Sequence, residues 1–131
     1  MHSRELAELF FGKARQDEFA LDKLVSDPAS PDEVIGFHAQ QAVEKMLKAV
    51  LVLHAVRLGK IHEIAQLLAL LRENHIPYPA EFEELDRLSP FAVDFRYEDL
   101  PSRPEPPFDR IWAADNVHRV KAWAEACLHD G

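Results

Sequence analysis

Gln41, Glu44 and Lys48 stand three and four residues apart in FHAQQAVEKMLKAVLV, residues 37–52. At 3.6 residues per turn they fall along one line of a helix. An amide, a carboxylate and an amine in that register can form a hydrogen-bonded row. On the same wheel Ala39, Ala42, Val43, Met46, Leu47, Ala49, Val50 and Leu53 cover an arc of roughly 160° and form the core face. The polar row lies opposite, with Lys45 beside it and Phe37, Leu51 and Val52 framing it. Two readings follow. Glu44 and Lys48 are a favourable i,i+4 pair on a solvated face, worth a few tenths of a kcal/mol. Alternatively the row is covered by a partner, a second copy or a ligand, and its polar groups then need partners and define specificity.

The elements that must carry this row are helical. Four glycines and no alternating valine-rich runs argue against a sheet. Turn signals divide the chain into five helical segments. The first spans about 3–25, with Leu6, Leu9, Phe10, Lys13, Ala14, Asp17, Ala20, Leu21 and Leu24 inward. Ser30 is positioned to cap the second, Pro31 to open it, and Asp32 and Glu33 to favour its positive end. That second helix should run to about Val56, with Gly59 in the break. A third spans about 62–74. A fourth, about 80–95, carries Phe82, Leu85, Leu88 and Phe91 and is interrupted by Pro90. Prolines from Pro101 to Pro107 make an extended loop. The last helix, about 109–129, packs through Ile111, Trp112, Asp115, His118, Val120, Ala122, Trp123 and Ala126. The whole reads as one all-α domain over residues 1–131, an up-and-down four- to five-helix bundle.

Composition narrows the functions. A chain of 131 residues, 47% of them hydrophobic, can bury a core without metal or disulfide staples. A net charge of −8 disfavours broad gripping of nucleic-acid backbone and suits a small ligand or protein partner. No apolar run reaches membrane-span length, and the acidic N-terminal stretch does not read as a signal peptide. One cysteine, Cys127, excludes an internal disulfide framework and fits a reducing compartment, so the expected location is the cytoplasm. It reads as a small packing residue. His38, His54, His75, His118 and His129 lack metal-ligand spacing to cysteines or clustered acids, so no metal or cofactor is expected. His54 lies near the apolar arc and reads as a packed residue.

FHAQQAVEKMLKA resembles the signature of the HEPN domain family, whose second helix reads F-x-A-Q-Q-A-x-E-K-x-L-K-A. Phe37, Ala39, Gln40, Gln41, Ala42, Glu44, Lys45, Leu47, Lys48 and Ala49 match. Residues 61–68, IHEIAQLL, resemble the family's T-H-D-L-x-x-L-L block, and FRYE at 95–98 its A-R-Y-P segment. The three blocks come in the family's order. The resemblance implies a helical bundle, often a homodimer, and three functional options. Many bacterial members associate with a minimal nucleotidyltransferase. Others are ribonucleases, often toxins, with an R-x(4–6)-H motif at a dimer interface, and others are proposed to bind nucleotides.

The ribonuclease chemistry needs no metal: histidine moves the proton of a ribose 2′-OH while arginine steadies the phosphate. The family's motif lies late in the chain. Here Arg96 has no histidine at the required distance, and Arg110 and His118 are one residue too far apart. Arg57 and His62 fit the spacing but lie between the second and third helices. His62 is better matched to the T-H-D-L histidine, bracing the third helix or lining a groove. No glycine-rich phosphate loop is present. For a nucleotide, the candidate cations are Lys48, Arg57, Lys60 and Arg96, with Tyr97 as a stacking surface. Arg96 and Tyr97 could equally tie the proline-rich loop to the bundle. The reading favoured is a HEPN binding module, dimeric and paired with a nucleotidyltransferase in a toxin–antitoxin-like module, with nucleotide or RNA as further ligands; the alternative is a toxin-like, metal-independent ribonuclease using Arg57 and His62, or Arg110 and His118. The binding residues of the favoured reading are Gln41, Glu44, Lys48, His62, Arg96 and Tyr97. On this reading Lys48→Glu weakens partner binding and leaves the fold intact.

Overall fold

The computed structural model describes residues 2–92 and 108–130. Four α-helices, α1 (Ser3–Val25), α2 (Asp32–Leu53), α3 (Ile64–Glu73) and α4 (Arg110–Asp130), are joined by a 3-10 segment, Ala80–Phe91. No strand occurs among the described residues, and the helices pack as a bundle. The proline-rich stretch and the candidates Arg96 and Tyr97 lie outside the described residues.

Helix α2 is the axis of the fold and touches all four other elements. Its buried residues therefore run around most of its circumference, from Ile35 to Val52, and are not confined to one arc. That is why its apolar content exceeds what an amphipathic surface helix needs. Gly36 lies where α2 meets the 3-10 segment. A Cβ there would stand 2.5 Å from the Phe91 ring, so glycine permits this approach.

The helix starts differ from expectation in one respect. Ser30 makes no side-chain cap, and Pro31 takes the N-cap position of α2. The turn is held instead by Arg110. Its Nε donates to Asp32 Oδ1 at 2.9 Å, one Nη donates to the Asp27 carbonyl at 3.1 Å, and the other donates to the Ser30 carbonyl. A single planar guanidinium thus ties the α1–α2 turn to the start of α4. Asp109 caps α4, accepting from Trp112 N–H at 2.9 Å.

Helix α2 ends at Leu53, three residues earlier than Val56, because a Schellman turn closes it. Val56 N–H bonds to Leu51 O and Ala55 N–H to Val52 O, at 3.0 and 2.9 Å. The left-handed residue of that turn is Ala55, with φ 60°; Gly59 also has φ 60° but lies beyond it. His54, expected among the packed residues, is the exposed C-cap. The same turn closes α3, where His75 (φ 58°) occupies the left-handed position. Both side chains tolerate a conformation that glycine adopts freely. Ala55→Gly is expected to stabilise the fold by about 0.5–1 kcal/mol. Urea denaturation checks this, and an unchanged or lowered midpoint would show that the backbone there is unstrained.

Two packed faces also differ from the sequence reading. In α1 the buried line is Ala7, Ala14, Asp17, Glu18 and Leu21, while Leu9 and Phe19 are exposed. In α4 it is Ala113, Ala114, Asn116, Val117, Val120 and Ala124, with Ile111 exposed. Alanines let α1 and α4 approach their neighbours closely, and the larger residues stand at the margins. The acids of α1 are buried in pairs with bases: Asp17 meets His38 at 3.0 Å and Lys45 at 2.6 Å on α2, and Glu18 meets Lys121 at 3.1 Å on α4.

The segment expected as a fourth α-helix is a 3-10 run that ends at Phe91. Phe82, Leu85, Leu88 and Phe91 recur every three residues, the period that a 3-10 helix places on one line. The first three are fully buried. Aromatic contacts fasten the segment to α4: Phe82 meets Trp123 edge-on at 5.5 Å between ring centroids, and Arg87 lies over Trp112 at 4.3 Å.

Candidate functional site

The polar row of α2 is covered in the folded chain. Glu44 and Lys48 are each only 6% exposed, so the solvated-face reading does not hold for them. Gln40, absent from the sequence candidates, is 1% exposed and belongs to the same row. Gln41 Nε2 donates to Gln40 Oε1 at 2.7 Å, and Gln40 Nε2 donates to Glu44 Oε1 at 2.9 Å. Lys48 Nζ donates to Glu44 Oε2 at 2.9 Å and lies 3.0 Å from His62 Nδ1. The row is therefore a relay from amide to amide to carboxylate to ammonium to imidazole. No buried side-chain nitrogen or oxygen among the described residues lacks a partner. Satisfied polar networks of this kind rigidify the groups they hold.

His62 is the outlet of the relay. It precedes α3, makes no side-chain cap for it, and keeps 67% of its side chain exposed. Its Nδ1 also stands 3.4 Å from Glu44 Oε2. One nitrogen cannot accept from Lys48 and donate to Glu44 at once. The shorter contact fits Lys48 donating to Nδ1, which puts the ring proton on Nε2. Among the described residues that N–H meets no acceptor. Arg57 and Lys60 are exposed on the same α2–α3 connection.

The other histidine–arginine candidates are engaged elsewhere. Arg110 is committed to the α1–α2 turn, and His118 Nε2 lies 3.0 Å from Asp22 Oδ1 on α1. Cys127 is half-buried, and burial, with Asp130 nearby, pushes its thiol pKa up. A thiol shifted that way is less nucleophilic at neutral pH, consistent with packing.

The model of one protein family, the HEPN domain, matches residues 8–128. The chain belongs to the HEPN domain family. No curated protein and no solved structure matches it. The HEPN match takes in all of α2, α3 and the 3-10 segment and most of α1 and α4, and the three motif blocks fall inside it. Of the site residues, Gln41, Glu44, Lys48 and His62 are brought together in one relay, whereas Arg57 makes no hydrogen bond among the described residues. Gln40 stands in the motif, four residues before Glu44, and that i,i+4 spacing is the signal that marks it as a member of the row. In the folded protein Gln40 faces Glu44 across one helical turn. No described helix is long and apolar enough to cross a membrane.

Proposed function

We propose that this HEPN domain is a cytoplasmic binding module, a homodimer that associates with a minimal nucleotidyltransferase in a toxin–antitoxin-like pair. The observation that carries the reading is the relay itself. A buried carboxylate and ammonium, each paired, hold one exposed imidazole on the connection that also carries exposed Arg57 and Lys60. Such a rigid donor suits an acidic partner surface or the phosphate of a bound nucleotide or RNA. The buried members set its position, and the exposed members make the contact.

The test is co-purification with a co-expressed minimal nucleotidyltransferase, with His62→Ala and Arg57→Glu alongside. Both residues are exposed, so both variants should fold. The expected result is a stable complex with the wild type, weakened at least about tenfold by either substitution, or ~1.4 kcal/mol. Absence of any complex would overturn the pairing. Normal binding by both variants would move the interface away from the relay.

A second reading rests on one observation: His62 has its Nδ1 engaged and, among the described residues, its Nε2 without a partner, five residues after Arg57 in the chain. That is the arrangement of a proton-transfer group oriented by its neighbours. It makes a metal-independent ribonuclease the alternative. RNA cleaved in excess EDTA by the wild type and left intact by folded His62→Ala would establish it.

A further inference from the structure

We propose that Glu18, Asp22 and His118 form a site for a borderline divalent cation such as Zn²⁺, bridging α1 and α4. Glu18 and Asp22 are one helical turn apart on α1, and His118 reaches them from α4. One ligand atom from each lies within 4.8 Å of the others. His118 Nε2 is 3.0 Å from Asp22 Oδ1 and 3.7 Å from Glu18 Oε2. Ligand atoms on a tetrahedral zinc, with bonds of about 2.1 Å, stand about 3.4 Å apart. The two distances bracket that value, so small rotamer adjustments would seat the ion. Sequence spacing could not reveal the set, because His118 is 96 residues from Asp22.

The set differs from a patch of surface acids in two ways. It contains an imidazole nitrogen placed between two carboxylates, a donor type that zinc favours over calcium or magnesium. It also contains a carboxylate that is only 8% exposed and already oriented. Glu18 Oε1 receives Lys121 Nζ at 3.1 Å, which leaves Oε2 turned to His118. An outer partner that fixes a ligating carboxylate is a usual support of metal sites. With His118 neutral, Glu18, Asp22 and Lys121 sum to one negative charge, so a divalent ion is attracted. Any proton on Nε2 leaves to solvent as the metal enters. His118 and Asp22 are about half exposed, so the remaining coordination positions are open to water. The ion would cross-link the helix that carries Asp17 and Glu18 to the last helix of the bundle, and so raise stability by mass action.

The experiment is calorimetric titration of the full chain with Zn²⁺, paired with Co²⁺ absorption, on the wild type, His118→Ala, Asp22→Asn and Cys127→Ser. Circular dichroism first establishes that each variant is folded. The expected result is one equivalent bound by the wild type, a raised Tm, and binding at least about tenfold weaker in His118→Ala and Asp22→Asn. Cys127→Ser should bind normally, and the Co²⁺ spectrum should lack thiolate charge transfer. Absence of binding by the wild type would overturn the proposal and leave His118 as a proton-held bridge between α1 and α4. Equal binding by His118→Ala, or loss in Cys127→Ser, would also overturn it by placing the metal elsewhere.

Discussion

Lys48→Met is expected to destabilise the domain by about 3–5 kcal/mol, because it leaves the Glu44 carboxylate buried without its ammonium. Glu44 and Lys48 are both 8% exposed in their side chains and 2.9 Å apart, so solvent cannot replace the lost charge. The Gln40 amide would still donate to Glu44 Oε1, but a neutral amide does not offset a full charge. In a domain of this size the loss corresponds to a Tm fall of roughly 10–20 °C. The double variant Glu44→Leu/Lys48→Met removes both charges and should recover most of the difference, since a buried pair contributes little beyond a well-packed apolar substitute. Denaturant unfolding of the three proteins forms the required cycle. A single variant within about 1 kcal/mol of wild type would mean that water reaches Glu44. The same geometry corrects the expectation that Lys48→Glu spares the fold. It would place two carboxylates in one buried site, so partner binding has to be tested at exposed His62.

Phe82→Ala should cost about 3–5 kcal/mol, the range for removing a fully buried aromatic ring. The physical reason lies in the 3-10 segment. Its hydrogen bonds have poorer geometry than those of an α-helix, so tertiary contacts must hold it. Phe82 supplies the largest of them. Its ring lies stacked 6.1 Å from Tyr78 and edge-on to Trp123, and the Trp123 indole N–H donates to the Pro77 carbonyl just before the segment. Edge-to-face contact adds about 0.5–1.5 kcal/mol beyond burial. Removing the ring should therefore loosen the segment from α4 as well as open a cavity. Amide hydrogen exchange should show protection lost across Ala80–Phe91 before it is lost in α2. Phe82→Leu should retain at least half of the stability that alanine loses. Uniform loss of protection throughout the chain would show that the segment does not unfold on its own.

Much of the fold was legible in the residues. The limits of α1 and α4 follow from polar punctuation, and a helix has the same period whatever it packs against. The HEPN blocks were legible too, since they are local strings. What local strings do not contain is which side of a helix its neighbours approach. Leu9 and Ile111 read as inward by size, but close packing of α1 and α4 selected alanines for the contact and left the large residues outside. The 3-10 segment is not distinguishable from an α-helix by its sequence, because a three-residue apolar spacing also fits one face of an α-helix over two turns.

The candidate site divides along the same line. The sequence by itself determined that Gln41, Glu44 and Lys48 share a helix line, because 3.6 residues per turn fixes that relation. It also determined that the chain is helical and carries the motif of its family. Only the tertiary structure decided that Glu44 and Lys48 are buried, that Gln40 joins them, and that His62 completes the row from the next connection. Only it brought His118 of α4 against Glu18 and Asp22 of α1. The physical reason is range. Helix periodicity and turn chemistry act over a few residues, whereas burial and the meeting of distant side chains depend on how α2 is surrounded, a property of the whole packed chain.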